Sequence, residues 1–347
     1  MQLKPYLQKV EKSAVYALNS LFGYRNYRLI EGRLLYEWQK ASEEKPTYNR
    51  SALPEGASDY LHKDNPKLEH LNKKYNTFNT KVTTPLVWTD AHVKPDDVVY
   101  FRGDNAYVWQ LRGQNMNIMG YALTTYYVKS IDKLGLLNLL KEDDLFGNFT
   151  FRIDNRVISR DLLDSIMEIY FLEKHLNISK LNKATILDIG AGYGRLAHRM
   201  ASAIPQISSY LCTDAVAISS FISDYYIKFR ELDKIAKVIG LDAVEKTLAT
   251  EPVDIAINIH SFSECKISAI DWWVSLLSRY KVRYLMIVPN SGDHGGQRLL
   301  THEGEDFGKV IENHGYKLIA KEPKFRDPVV QKFGINPTYH YLFELQS

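Results

Sequence analysis

Apolar positions recur at helical spacing at the start of the chain, in the series Leu7, Val10, Ala14, Leu18 and Leu21. The pattern predicts an amphipathic helix from residue 7 to about 40. Residues 41–60 are polar and contain Pro46, Pro54 and Gly56, which predicts an exposed loop. A short helix is expected over 64–78. Two β-rich runs surround Gly103-Asp104-Asn105, a hairpin signal over 97–111. A helix is expected over 119–140, followed by a break at Gly147-Asn148.

From Ser159 onward strands and helices alternate. Ser159 is placed to cap a helix reaching Leu176, with Asp161 in its first turn. Strands are expected at 185–189, 209–213, 236–239, 254–259 and 283–288, and helices at 194–203, 215–230, 267–280 and 304–314. Two further strands, 316–321 and 338–345, close the chain with no full helix between them. This alternation predicts an α/β fold with a mostly parallel sheet and helices on both faces. The expected organisation is a mainly helical region over 1–150, serving as substrate-binding lid or oligomerisation arm, and a cofactor-binding domain over 151–347.

The most informative stretch is Thr185-Ile-Leu-Asp-Ile-Gly-Ala-Gly-Tyr-Gly-Arg195, a strand, a glycine-rich turn and a helix start. Glycine lets the backbone turn sharply and approach a ligand with no Cβ in the way. A dinucleotide fingerprint is Gly-x-Gly-x-x-Gly, whereas Gly190, Gly192 and Gly194 run Gly-x-Gly-x-Gly behind Asp188. That order resembles motif I of the class I S-adenosylmethionine (SAM) methyltransferases. Asp214, at the end of the next strand, is placed to accept hydrogen bonds from a ribose, although a NAD site uses an acid in the same way.

In open α/β sheets, ligands lie outside the carboxyl ends of the strands, so the residues that follow each strand are the candidates. After strand 254–259 come His260 and Glu264. A neutral imidazole there suits proton removal from a hydroxyl, and Glu264 is able to orient His260, touch substrate or bind a metal. The bland readings are a histidine bonded to a backbone carbonyl and a solvated acid. Leu241 and Asp242, after the third strand, are candidates for the adenine ring and its amino group. Asp293 and His294 lie in the glycine-rich loop after Pro289 and could join Glu264 around a metal, a weak signal without regular spacing. In Phe101–Gln110, the hydrogen-bonding groups Arg102, Asp104, Asn105 and Gln110 are interleaved with Tyr107 and Trp109, which suits sugar recognition or simply a well-packed hairpin.

Composition narrows the field. The 347 residues are 45% hydrophobic and 24% charged with a net charge of +3, the profile of a globular protein whose main partner is not nucleic acid. Cys212 and Cys265 cannot form a disulfide framework. No run approaches a membrane span and the first residues lack a signal-peptide core, so a cytoplasmic location is expected.

Beyond the glycine turn, Phe101-Arg-Gly-Asp-Asn-Ala-Tyr-Val-Trp-Gln110, Asn258-Ile-His-Ser-Phe-Ser-Glu264, Val288-Pro-Asn290 and Lys321–Gln331 resemble the sugar O-methyltransferases of bacterial polysaccharide and glycan synthesis. The similarity runs from about residue 60 to the end. It implies a Rossmann-like, seven-stranded class I methyltransferase sheet with an α+β N-terminal region. It further implies SAM at Asp188, Gly190, Gly192, Asp214 and Leu241, chemistry near His260, a sugar or glycan acceptor, and residues 101–110 facing the active site. Magnesium and homo-oligomerisation stay open. Two rivals remain: a NAD-dependent oxidoreductase or epimerase of sugar nucleotides, and a catalytically silent methyltransferase-like binding module. Base methylation is disfavoured, since Asn258-Ile-His-Ser261 is not an Asn-Pro-Pro-aromatic motif.

Overall fold

The computed structural model describes residues 3–22, 45–84, 87, 95–103 and 116–346. The chain forms two compact units, Met1–Glu44 and Lys45–Ser347. The second unit spans both sides of the boundary expected near residue 150. In the first unit a helix spans Leu3–Phe22; the rest of the helix expected up to about residue 40 lies outside the described residues.

The second unit is built on a sheet of seven strands: β3 (Ala184–Ile189), β4 (Ile207–Thr213), β5 (Ala236–Val238), β6 (Ile255–Ile259), β7 (Tyr284–Val288), β8 (Tyr316–Pro323) and β9 (Tyr339–Leu345). Their order is β5-β4-β3-β6-β7-β9-β8. The first five are parallel, and β9 runs antiparallel to both β7 and β8. This is the mixed, helix-flanked Rossmann-like sheet of the class I methyltransferase fold. β3, β6 and β7 are buried almost residue by residue, as strands covered on both faces must be. The chain order reverses between β3 and β6. A crevice opens there at the carboxyl ends of the strands, flanked by the glycine turn on one side and by residues 260–264 on the other.

The Arg160–Leu176 helix forms as its sequence predicts, with the Ser159 hydroxyl accepting from Leu162 N–H at 3.1 Å. It packs on the Arg195–Ala203 helix that follows the glycine turn. A small hairpin not anticipated from the sequence, β1 (Phe151–Ile153) with β2 (Arg156–Ile158), precedes it. The expected hairpin over 97–111 is not seen where the chain is described. Pro95–Val99 is helical and Phe101–Gly103 is a turn, while 104–115 lies outside the described residues. The helix expected over 119–140 divides into Ile118–Ile131 and Leu136–Leu139. Asp132 divides it by capping the second segment, accepting from Leu136 and Leu137 N–H. No described helix is long and apolar enough to cross a membrane.

Candidate active site

The glycine turn is held by its own hydrogen bonds. Gly190 and Ala191 N–H donate to Thr213 O at 2.8 and 3.1 Å, and Gly194 N–H donates to Ala191 O at 3.0 Å. Gly192 N–H donates to Asp214 Oδ2 at 3.0 Å. A pyrophosphate needs such N–H groups turned toward it, and here these four are already used within the protein. Glycine is required at position 190 twice over: its φ is +74°, and a Cβ there would lie 2.1 Å from Ser261 Oγ. Ser261 is held against the turn by Asn258, whose side-chain amide donates to Ile189 O at 2.8 Å. The loops after β3 and β6 are thus locked together.

A cavity of about 140 Å³ lies in this crevice, lined by Asp188, Gly190, Asp214, His260 and Glu264 among others. Small-molecule sites usually measure roughly 300–1,000 Å³, so a nucleoside-sized ligand fits only after the lining side chains rearrange. Both aspartates are buried, at 3% and 9% exposure. Burial pushes the Asp188 carboxyl up to about 7; a hydrogen bond from Tyr210 and the charge of Arg195 oppose this, and Glu168 and Asp214 add to it. Arg195 itself is forked onto Glu168 at 2.8 and 2.9 Å. Burial likewise pushes Asp214 up to about 6 against hydrogen bonds from the Val216, Gly192 and Ala215 N–H groups. The protein has buried two acids beside one cavity and has matched neither with a dedicated cation. A ligand carrying a sulfonium and an ammonium would provide the missing charge, so the donor set fits SAM.

His260 follows β6 at φ +67° and ψ −35°, a conformation costly for a side chain with a Cβ. Its N–H donates to Val288 O at 2.7 Å, and its Nδ1 is buried with no hydrogen-bond partner among the described residues. Burial pushes the imidazole down to about 3, with the positive charges of Arg160, Arg195 and Lys324 adding to the effect and Asp164 opposing it. The ring is therefore neutral at any physiological pH. Glu264 accepts from Asn290 Nδ2 at 2.8 Å, and the same amide faces His302 Nε2 at 3.4 Å. Among the described residues no three His, Cys, Asp or Glu side chains form a metal-binding group, so Glu264, Asp293 and His294 do not converge as a metal site.

A much larger cleft, about 980 Å³, adjoins the 260–264 turn at Ser263 and includes Asn290, Arg298, His302, Phe333 and Asn336. One wall is fixed by Lys324 Nζ, which donates to Asp164 and to the carbonyls of Ile335 and Asn336. Asn336 Nδ2 also donates to Asp164, at 3.1 Å.

The structure brings Asp188, Gly190, Gly192, Asp214, His260 and Glu264 around one cavity. Leu241 and Asp242 do not line it. Leu241 is buried in the core, and Asp242 pairs with Lys74 at 3.2 Å. Arg102 is not on an acceptor surface: it is fully buried and forked onto Glu142 and Asp143, each at 2.6 Å, with Asp161 at 3.7 Å. Glu142 in turn binds Arg199 at 2.7 Å, so Arg102 ties the loop before residue 104 to the helix after the glycine turn. Asp104, Asn105, Tyr107, Trp109 and Gln110 lie outside the described residues. Sequence reasoning gave no role to Tyr210, or to Asn258 and Ser261 within the Asn258–Glu264 stretch. It also missed Tyr75, whose hydroxyl meets Ser220 Oγ at 2.9 Å next to the cavity residue Ser219.

A scan of protein-family models gave no match, and a search of curated proteins gave none. Solved structures that align with part of this chain include the methyltransferase domain of bacterial CtHen1-CN, with 15% identity, TM-score 0.40, and 52% of this chain and 97% of that chain covered. Another is magnesium protoporphyrin IX methyltransferase from Synechocystis PCC 6803 with bound SAM, at 12% identity, TM-score 0.38, and coverage of 54% and 83%. The cyclase SpnF aligns at 14% identity, TM-score 0.39, and coverage of 65% and 94%.

Proposed function

We propose that this protein is a SAM-dependent O-methyltransferase acting on a hydroxyl of a sugar or glycan. The observation that carries the cofactor reading is the pair of buried, cation-poor carboxylates, Asp188 and Asp214, beside a glycine turn whose N–H groups are taken. Such a cavity selects a cationic ligand and disfavours a pyrophosphate. SAM, when bound, supplies a methyl group on a sulfonium, which leaves as a neutral thioether once the acceptor oxygen has taken the methyl carbon. Everything else falls to this chain's residues. His260 takes the hydroxyl proton, and Glu264, oriented by Asn290, holds the acceptor.

An imidazole held near 3 is a weak base toward a resting alcohol. It suffices here because the oxygen becomes positively charged as it gains the methyl, and its proton is then far more acidic than the imidazolium. Neutrality is the property required, and burial guarantees it. The sugar reading rests on the large cleft. Phe333, 60% exposed at its edge, offers a ring face, and Asn290, Asn336 and His302 offer planar hydrogen-bonding groups. The direct test is methyl transfer from isotopically labelled SAM to a panel of sugars and glycans. The expected result is a methyl ether on at least one acceptor, formed by the wild type and not by His260→Ala. SAM binding with no product on any acceptor would support a silent module instead.

A further inference from the structure

The cofactor cavity is too small for its ligand, and the elements that narrow it come from outside the sheet. Methyl transfer requires the sulfonium to face the acceptor cleft, which adjoins the cavity at the 260–264 turn. The rest of SAM must then extend away from that cleft, past Asp214 at the end of β4 and toward β5. Residues 65–84 cover that end. The Pro66–Asn76 helix packs on the Ala217–Phe229 helix after β4 and on the Leu241–Ala243 turn after β5. The short Thr80–Thr83 helix packs on the Ile267–Arg279 helix after β6. Ser219 and Trp273 line the cavity. Their immediate neighbours, Ser220 and Trp272, are the residues that this segment touches: the Tyr75 hydroxyl meets Ser220 Oγ at 2.9 Å, and the Phe78 and Trp272 rings meet edge-on with centroids 6.1 Å apart. Burial raises the Tyr75 phenol, opposed by the Ser220 hydroxyl and the Leu241 N–H and reinforced by the Asp214 and Asp242 carboxylates. The hydroxyl thus stands among groups from the ends of both β4 and β5, in the path of the ligand.

This segment is anchored unevenly. Ala57, Leu61 and Leu68 are each at most 2% exposed, and the Asn65 side chain ties the start of the helix to Tyr60 O and Lys67 N–H, both at 2.9 Å. Beyond residue 71, Tyr75 and Val82 are the buried side chains among those described, and the ion pair of Lys74 with Asp242 lies in solvent. Segments with few buried apolar contacts are the ones that open locally. We propose that residues 72–84 act as a strap, latched by Tyr75, that shuts the β4–β5 end of the crevice in the ligand-free protein and swings off to admit SAM. This rests on the cofactor reading above. The binding-competent form is then a minor state, and the apparent affinity for SAM is reduced by the fraction of molecules that are open.

The test is stopped-flow tryptophan fluorescence of the full-length protein mixed with S-adenosylhomocysteine, since Trp272 lies against the strap and Trp273 lines the cavity. In the wild type the observed rate should level off with rising ligand, at a ceiling set by strap opening. Tyr75→Ala should raise that ceiling about tenfold or more, because loss of the buried ring favours the open form. Tyr75→Phe, which keeps the ring and loses the Ser220 hydrogen bond, should raise it about threefold. A rate that rises linearly to millimolar ligand in the wild type would overturn the proposal. So would an unchanged ceiling in Tyr75→Ala, or in Tyr75→Phe if the alanine variant does not fold. Binding to the variants alone would show a wild-type strap held shut and support the proposal. If the homocysteine compound binds neither the wild type nor a folded variant, the cofactor reading itself fails.

Discussion

The Tyr210 hydroxyl donates to Asp188 Oδ2 at 2.9 Å across neighbouring strands, a neutral donor beside a buried carboxylate whose nearby arginine is forked onto Glu168. Burial, which that bond and the arginine offset only in part, holds Asp188 near 7, and burial holds Asp214 near 6. A cationic ligand stabilises the ionised form of both, so binding of SAM should release protons near neutral pH. SAM affinity should weaken as pH falls from 8 through 7 to 5.5, by up to about tenfold per pH unit for each acid titrated. Calorimetry in buffers of different ionisation enthalpy measures the protons released. A flat affinity across this range contradicts the assignment of the two acids.

The same burial has a stability signature. The Asp188 carboxyl is raised from 3.8 to about 7 in the fold. The stability that its protonated form contributes is complete below about 4 and is lost as pH rises through 7. Above that pH the ligand-free protein carries the cost of a buried charge, at most about 4 kcal/mol for that gap. Asp188→Asn should therefore gain stability over the wild type as pH rises from 5 to 8.5, while losing SAM affinity. Thermal melts over that range check it, and a constant difference between the two proteins would show that Asp188 does not titrate there.

His260 serves the chemistry in a backbone conformation that suits glycine. His260→Ala should reduce turnover by about 100-fold or more with little change in SAM affinity. His260→Gly should be as inactive, yet more stable than His260→Ala by roughly 1 kcal/mol, because only glycine relieves φ +67°. Since the ring is neutral well below physiological pH, neither the wild-type rate nor its pH profile should show a histidine titration between pH 5 and 8. Unfolding curves and steady-state kinetics of the two variants separate strain from catalysis.

Gly190 and Ser261 form one steric lock. Gly190→Ala brings a Cβ to 2.1 Å from Ser261 Oγ and should abolish cofactor binding. Adding Ser261→Gly removes the clash but not the left-handed φ, so partial recovery is expected. Full recovery would mean that backbone conformation matters little at this turn, and no recovery would mean that the clash was not the cause. Thermal shifts with S-adenosylhomocysteine distinguish the three.

The sheet was legible because buried parallel strands leave unbroken apolar runs, such as Ile255–Ile259, and because Gly190, Gly192 and Gly194 all sit at positive φ as a turn demands. The residues around the cavity were legible for the same reason: they lie at the carboxyl ends of strands or in the turns that follow them. Tertiary context decided the rest. Arg102 reads as a polar surface group beside a Gly-Asp-Asn turn, but its partners Glu142, Asp143 and Asp161 are about 40 to 59 positions away in sequence. Asp242 has the spacing of an adenine partner, yet Lys74, 168 positions away, takes its carboxylate. Long-range ion pairs leave no local pattern. Lys324 had only a weak signal, its place within the Lys321–Gln331 stretch, and its role in fixing the cleft wall appears only once Asp164 and Asn336 are beside it.

The most direct test of the central claim is the thermal stability of the purified protein at pH 8 with SAM, S-adenosylhomocysteine or NADH at saturation. A ligand at about 100 times its dissociation constant adds roughly 2.7 kcal/mol, a shift of several degrees. Stabilisation by the adenosyl compounds and not by NADH is the predicted result. Stabilisation by NADH alone would contradict the reading of Asp188, Asp214 and the glycine turn.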